Sequence, residues 1–423
     1  MITARIKRQL DAIDWDFSEH FPGTSKTLHW YPGTFPSELP ATLIQALSTH
    51  DDLIFDPYGG IGTTGVEALR QGRRAWLVES NPVGWLVSYV SGCFLLLKAA
   101  DEALPSILID ILRFTLSKSL ETHNTLSRLG TDDEIPRRVD NILRKSAKPA
   151  PKKLNEFFCK EPVWAMLEEW IEQTTIADVH KILECLSTTS LGDFGRLVGL
   201  VMISAILRPA SSQTQSWGHI ADNVRPKQFE RKDVFRLCQH WLTRTETIVN
   251  KTDVTMMSKA DLGSVRFWAS LHSWQKRSRP SLAPKLPVKT LITSPPYADA
   301  IDYSLAQRLS LYFLGYSEED VRGFTNVEIG ARRKRFLSTS HATWADELVG
   351  ALSQQIDYCA ENSLLAFVLP HKDAGREIGP RLIEEFLSSK ALEKLLEVER
   401  SIRQIRARQS WTSIKKEIVQ IYG

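Results

Sequence analysis

Hydrophobic positions along this chain follow two periodicities in succession. Residues 52–79 read as a strand, a glycine turn, a helix and a second strand. An apolar run ends at Asp56, glycines stand between Gly59 and Gly62, a helical repeat covers Thr63 to Gln71, and a second apolar run spans Arg74 to Glu79. That order is a βαβ unit. Gly72 falls where a helix end wants a left-handed residue, and Pro82 falls where the next helix would start. The apolar run Val83 to Leu97 then predicts a buried helix. From about Ala99 to Lys251 the pattern is amphipathic and helical, with segments at Ile107–Leu120, Val163–Ile171, Val179–Leu186 and Val234–Val249. The polar stretches Arg144–Lys160 and Ala210–Lys232 read as exposed loops between them. After Thr252 the alternation returns. Strands are predicted near Val254–Ser258 and at Val288–Thr293, Leu364–Leu369 and Glu417–Tyr422, with helices at Leu305–Leu314 and Pro380–Ser388. The expected fold is therefore an α/β core with a mostly parallel sheet, built from residues 1–98 and 252–423 and split by a large, mainly helical insertion at 99–251.

Composition changes this picture little. A chain of 423 residues exceeds what one hydrophobic core usually supports, so two lobes are expected. Hydrophobic residues at 43% and charged residues at 24% exclude the signature of disorder. No leader pattern or long uncharged apolar stretch is evident, which points to a cytoplasmic protein with no membrane partner. Cys93, Cys159, Cys185, Cys238 and Cys359 lack paired spacing, which argues against a disulfide framework and a zinc site, so no metal is expected. The net charge of +3 does not announce a polyanion partner, so local distribution matters more.

The segment Asp56-Pro57-Tyr58-Gly59-Gly60-Ile61-Gly62-Thr63-Thr64 follows a strand and opens a helix. There a glycine turn can bring backbone N–H groups against a ligand. Glu79, roughly 20 residues further on, has the spacing of a carboxylate that accepts ribose hydroxyls. A nucleoside cofactor fits this unit, and a dinucleotide fits the motif alone as well. A tight turn with no ligand is the plain alternative. The Gly-Lys-Ser/Thr ending of a triphosphate loop is absent.

The strand Val288–Thr293 ends in Ser294-Pro295-Pro296-Tyr297. Two prolines make a stiff, extended platform that cannot enter a helix directly. On it the Ser294 hydroxyl and the Pro295 carbonyl can accept hydrogen bonds from an amino group, and Tyr297 can stack on a base. With both motifs present, the chain resembles the amino-methyltransferases of DNA, whose signatures are Asp-Pro-Phe-x-Gly-x-Gly-Thr-Thr and Ser/Asp/Asn-Pro-Pro-Tyr. Tyr58 replaces the phenylalanine, and the likeness continues through Asn81-Pro82 and Ala300-Ile301-Asp302-Tyr303. It touches about half the chain, and the helical insertion matches nothing nameable.

The resemblance implies a Rossmann-like class I methyltransferase fold that uses S-adenosylmethionine. It makes Ser294, Pro295, Pro296 and Tyr297 catalytic. It gives Asp56, Tyr58, Gly60, Gly62, Thr63, Glu79 and Asn81 to the cofactor, with Asp261 as the acid that contacts adenine. His29 and Tyr31, in His29-Trp30-Tyr31-Pro32-Gly33-Thr34-Phe35-Pro36, look like the segment that closes over the methionine end. The implied reaction is direct methylation of an exocyclic amino group in double-stranded DNA after base flipping. No Pro-Cys dipeptide is present, so the rival C5-cytosine chemistry has no nucleophile.

Ser294 at the first motif position points to N4 of cytosine, since the family's cytosine members usually carry serine. The order of the motifs, glycine turn first, is commoner among adenine-N6 enzymes. An RNA guanine-N2 methyltransferase and a non-catalytic DNA-binding subunit remain as alternatives, and a restriction or defence partner is compatible with the family. The insertion occupies the place of a target-recognition domain. Basic clusters at Arg144, Lys145, Lys148, Lys152 and Lys153, at Arg225, Lys227, Arg231 and Lys232, and at Arg332 to Arg335 can contact phosphates, or can equally be solvated surface. The loop Ser216-Trp217-Gly218-His219 can act as a wedge, and the run Arg400 to Arg408 can form a basic hairpin. Oligomeric state and target site are not written in the sequence.

Overall fold

The structure is a computed structural model that describes residues 4–17, 27–34, 36–119, 134–213, 225–298, 301–331, 340–371, 378–401 and 416–423. Its centre is one eight-stranded sheet. The strands are β1 (Leu53–Asp56), β2 (Arg74–Glu79), β3 (Ala147–Lys148), β4 (Phe267–Leu271), β5 (Val288–Thr293), β6 (Cys359–His371), β7 (Lys394–Ser401) and β8 (Lys416–Tyr422). They lie in the order β3-β4-β2-β1-β5-β6-β8-β7. Among the described strands only β8 runs against its neighbours, pairing antiparallel with β6 and β7. The fold is thus the mostly parallel α/β architecture of a Rossmann-like methyltransferase.

Strand alternation divides the core into two faces. Ile54, Ala75 and Leu77 point to one apolar cluster, whereas Leu53, Phe55, Trp76 and Val78 point to the other. On the second face Phe55 and Trp76 stack with ring centroids 4.1 Å apart. β1 lies between β2 and β5, with Ile54 opposite Ala75 on one side and Thr290 on the other. The strand ends of both sequence motifs are therefore adjacent.

The first face is covered by the helix Pro82–Ala100, which starts on Pro82 after the Asn81 side chain accepts the Val83 N–H at 2.9 Å. It is the one helix among the described residues long and apolar enough to cross a membrane, yet 83% of its apolar window is buried inside the fold. It is a core helix. The insertion packs directly on it. Phe94 meets Phe194 edge to face at 5.5 Å, and the buried Lys98 ammonium donates to the carbonyls of Val249, Asn250 and Thr252 at 2.7–3.0 Å. These carbonyls close the helix Val234–Lys251, whose negative end a lysine suits. Among the described residues one apolar cluster runs through core and insertion alike.

Three expectations are corrected. Residues 254–258 form no strand, because the Asp253 side chain accepts the Thr255 N–H at 2.9 Å and turns the chain, and the strand forms later as β4. The stretch 144–160 is not a loop. The helix Glu134–Ser146 runs into it, Ala147–Lys148 joins the sheet edge as β3, and Pro151 starts the helix Pro151–Phe157. The helix expected over 305–314 is two short ones, Tyr303–Ala306 and Arg308–Phe313, separated at Gln307, whose amide donates to Trp30 O.

The shared core is testable. Phe94→Ala removes a ring that core and insertion both use and should cost about 3–5 kcal/mol by denaturant unfolding. The chain should still unfold in one transition; two separate transitions would contradict a common core.

Candidate active site

The site begins with a buried carboxylate. Asp56 ends β1 and spends its oxygens on the chain itself. Oδ1 accepts the Tyr58 N–H at 3.0 Å and the Thr293 hydroxyl at 2.7 Å, while Oδ2 accepts the Thr64 hydroxyl at 2.7 Å. Three local elements are tied at one point: the glycine turn, the start of helix Thr63–Arg70 and the end of β5. Burial pushes the Asp56 carboxyl upward and these hydrogen bonds oppose it.

The turn that follows needs two left-handed residues, Gly60 at φ 51° and Gly62 at φ 90°. Gly60 N–H donates to Glu79 Oε2 and Asn81 N–H to Glu79 Oε1, both at 2.7 Å. Burial pushes the Glu79 carboxyl up to about 7, and the backbone hydrogen bonds oppose it. A Cβ at Gly62 would lie 2.8 Å from Ser88 Cβ, so this glycine serves the approach of two helices.

Across the strand boundary, indole N–H groups pin both proline segments. Trp274 donates to Pro57 O at 2.7 Å and Trp344 to Pro296 O at 3.0 Å. Ser294 Oγ lies 3.0 Å from the Tyr297 hydroxyl, which donates to Glu417 Oε1 at 3.3 Å.

Most of these groups line one open cleft. Asp56, Tyr58, Gly60, Thr63, Glu79 and Tyr31 line it together with Ser294, Pro295, Pro296 and Tyr297. The Tyr58 ring packs away onto the second apolar cluster. Four expected cofactor residues do not line it. His29 is buried with Nδ1 on Trp30 O at 2.6 Å and Nε2 on Ser204 Oγ at 3.0 Å. Burial lowers its pKa to about 4, so it is a neutral tether between the N-terminal segment and the helix Gly192–Ala210. Asn81 caps a helix, and Gly62 packs as described. Asp261 shares a capping box with Ser258 and lies 3.8 Å from both His50 and Arg266, and Arg266 in turn donates to Asp51 and Gly72. Those partners stand where β1 and β2 begin, at the opposite end of the strands from the glycine turn. The error follows from misplacing the strand: the loop after β4 is His272-Ser273-Trp274, which does line the cleft.

Sequence reasoning also missed Tyr303 as a site residue, and missed Glu328. Tyr303 stacks on Tyr31 with centroids 5.6 Å apart. Glu328 accepts the Tyr303 and Ser304 N–H groups at 3.0 and 2.7 Å and so fixes that ring. Burial raises Glu328 to about 7. The Asp302-Tyr303 pair carried a signal in the sequence; Glu328 carried none. Among the described residues no group of His, Cys, Asp and Glu is placed to hold a metal. Of the basic groups, Arg144, Lys145, Lys152, Lys153, Arg225, Lys227 and Arg231 are exposed, with Arg225 paired to Glu169 at 2.9 Å. Arg400 is buried against Glu417 and is no surface contact. Residues 214–224, 332–339 and 402–415, which include Trp217 and the third basic cluster, lie outside the described residues.

The buried acids set a pH dependence. Glu79 and Glu328 hold a proton in the folded chain between their usual 4.5 and about 7, where the unfolded chain has lost it. Their contribution to stability is present below about pH 4.5 and is lost as pH rises through about 7. Glu328→Gln should flatten the fall of Tm across that window, and an unchanged slope would contradict the assignment.

The model of the DNA methylase family matches residues 6–111, which include the glycine turn and Glu79 but not the proline loop. The Type II methyltransferase M.PvuII of Proteus hauseri is 40% identical over 52 residues, which is 12% of this chain and 16% of that relative. The match therefore spans about a sixth of the relative's length. No solved structure matches. Over residues 6–111, this chain is similar to the DNA methylase family.

Proposed function

We propose that the chain transfers a methyl group from S-adenosylmethionine to an exocyclic amino nitrogen of a base in double-stranded DNA, with N4 of cytosine as the target. One observation carries this reading. The glycine turn and the Ser-Pro-Pro-Tyr loop end neighbouring strands, are joined through Asp56 and Thr293 at 2.7 Å, and line one cleft.

The residues fit the cofactor. Glu79 lines the cleft at the end of β2, where its carboxylate would meet ribose hydroxyls, and the backbone of residues 59–61 borders the same space. His272 Nε2 is buried without a partner on the cleft wall, a polar atom suited to an adenine edge. Tyr31 and Tyr303 supply an aromatic wall. When bound, S-adenosylmethionine supplies an electrophilic methyl group.

An amino group on a heteroaromatic ring is a weak nucleophile because its lone pair is delocalised. Ser294 Oγ and the Pro295 carbonyl would accept its hydrogens and hold the lone pair out of the ring plane, so orientation carries much of the rate. The prolines and the Trp344 hydrogen bond keep those acceptors fixed. A duplex base must leave its stack, at a cost of a few kcal/mol, and Tyr297 would offset part of this through stacking worth about 1–3 kcal/mol. The serine at position 294 supports cytosine over adenine, by resemblance. The inserted helices, with exposed Lys152 and Lys153, are the proposed target-recognition region.

Transfer of labelled methyl groups to DNA and RNA, followed by nucleoside analysis, tests the proposal. N4-methylcytosine is the expected product, N6-methyladenine would correct the base, and label confined to RNA would overturn the substrate class. Tyr297→Ala should lower turnover strongly and leave cofactor affinity nearly unchanged; equal loss of both would contradict a base-stacking role.

A further inference from the structure

Methylation of an amino nitrogen leaves one proton to be disposed of, and a directed path for it leads away from the cleft wall. Ser294 Oγ, the Tyr297 hydroxyl and Glu417 Oε1 follow one another at 3.0 and 3.3 Å. Beyond them Glu417 Oε2 is bound to Arg400 at 2.5 Å, and Arg400 donates to Trp15 O at 3.1 Å with its guanidinium over the Phe17 ring. An ionised carboxylate only accepts, so Tyr297 gives its single hydrogen to Glu417. Ser294 must then give its own hydrogen to Tyr297, which leaves the serine lone pairs facing the cleft as acceptors.

Building on the methyltransferase reading above, we infer that Ser294, Tyr297 and Glu417 form a one-way relay that removes the proton displaced from the methylated amino group. As the nitrogen–carbon bond forms, the amino proton passes to Ser294 Oγ, the serine proton to Tyr297 Oη and the tyrosine proton to Glu417 Oε1. The base and both hydroxyls end neutral and Glu417 ends as a carboxylic acid. The positive charge that arrives with the methyl group is matched by the negative charge lost at Glu417. Glu417 acts through Tyr297 and is a positioning residue.

The surroundings suit an acceptor. Burial pushes the Glu417 carboxyl upward, and the Arg400 cation, with the Tyr297 hydrogen bond, opposes this without cancelling it. The groups facing it are Arg400 from β7 and Tyr297 from the loop after β5. His371, Glu399 and Lys416 pair with one another on the other side of β6, β7 and β8, as the strand alternation requires. Protonated Glu417 would donate to Tyr297 and reverse the chain, so transfer should slow as pH falls through the raised Glu417 pKa.

The test is the single-turnover rate of methyl transfer to DNA against pH, for wild type, Tyr297→Phe and Glu417→Gln. Tyr297→Phe keeps the ring and leaves the Glu417–Arg400 pair intact. The relay predicts an acidic limb in wild type, a rate lower by about 10²-fold in Tyr297→Phe, and no such limb in either variant. Binding of S-adenosylhomocysteine, read by calorimetry, should stay within twofold in all three. Should Glu417→Gln fail to fold for want of a counter-charge to Arg400, Tyr297→Phe decides the matter. A Tyr297→Phe enzyme with the wild-type rate and limb overturns the relay alone, whereas a wild type that transfers nothing overturns the methyltransferase reading and the relay with it.

Discussion

The structure turns on the acceptor capacity of one buried carboxylate. Asp56 receives three hydrogens, from the backbone after β1, from Thr64 at the head of the next helix and from Thr293 at the end of β5. A buried carboxylate is costly unless its lone pairs are satisfied. Here satisfaction requires two segments more than two hundred residues apart to sit at a fixed spacing. Solvation of one side chain thereby sets the distance between the glycine turn and the proline platform. The same economy explains why Asp56 has little left to offer a ligand.

Other contacts stiffen what Asp56 aligns. Trp274 and Trp344 hold the carbonyls of Pro57 and Pro296, residues whose rings already restrict the backbone. His29, kept neutral by burial, anchors the segment that carries Tyr31 to the inserted helices through Ser204. Lys98 closes the last inserted helix from the core side. The insertion is thus bonded to the wall of the cleft as well as packed on the sheet. That suits the target-recognition role proposed for it.

The βαβ unit was legible because its signals are local: a strand, glycines that must adopt positive φ, and an acid at fixed spacing. The proline loop was legible for the same reason. The third core strand was not, because a polar side chain at Asp253 turns a segment whose composition reads as extended, and Asp261 lies at the far end of the strands from the cleft. His29 was misread since its burial depends on a helix far along the chain. Glu328 and Glu417 gave no signal at all. Each matters only through residues it meets after folding, Tyr303 and Ser304 in one case and Tyr297 and Arg400 in the other.

The account stands or falls on whether the cleft between β1, β2 and β5 is where a nucleoside donor lies. A crystal structure with S-adenosylhomocysteine bound addresses this directly. The ribose is expected on Glu79, the adenine beside His272 and Trp274, and the sulfur facing Ser294 and Pro295. A ligand seated elsewhere, or one whose sulfur is walled off from the proline loop, would contradict it.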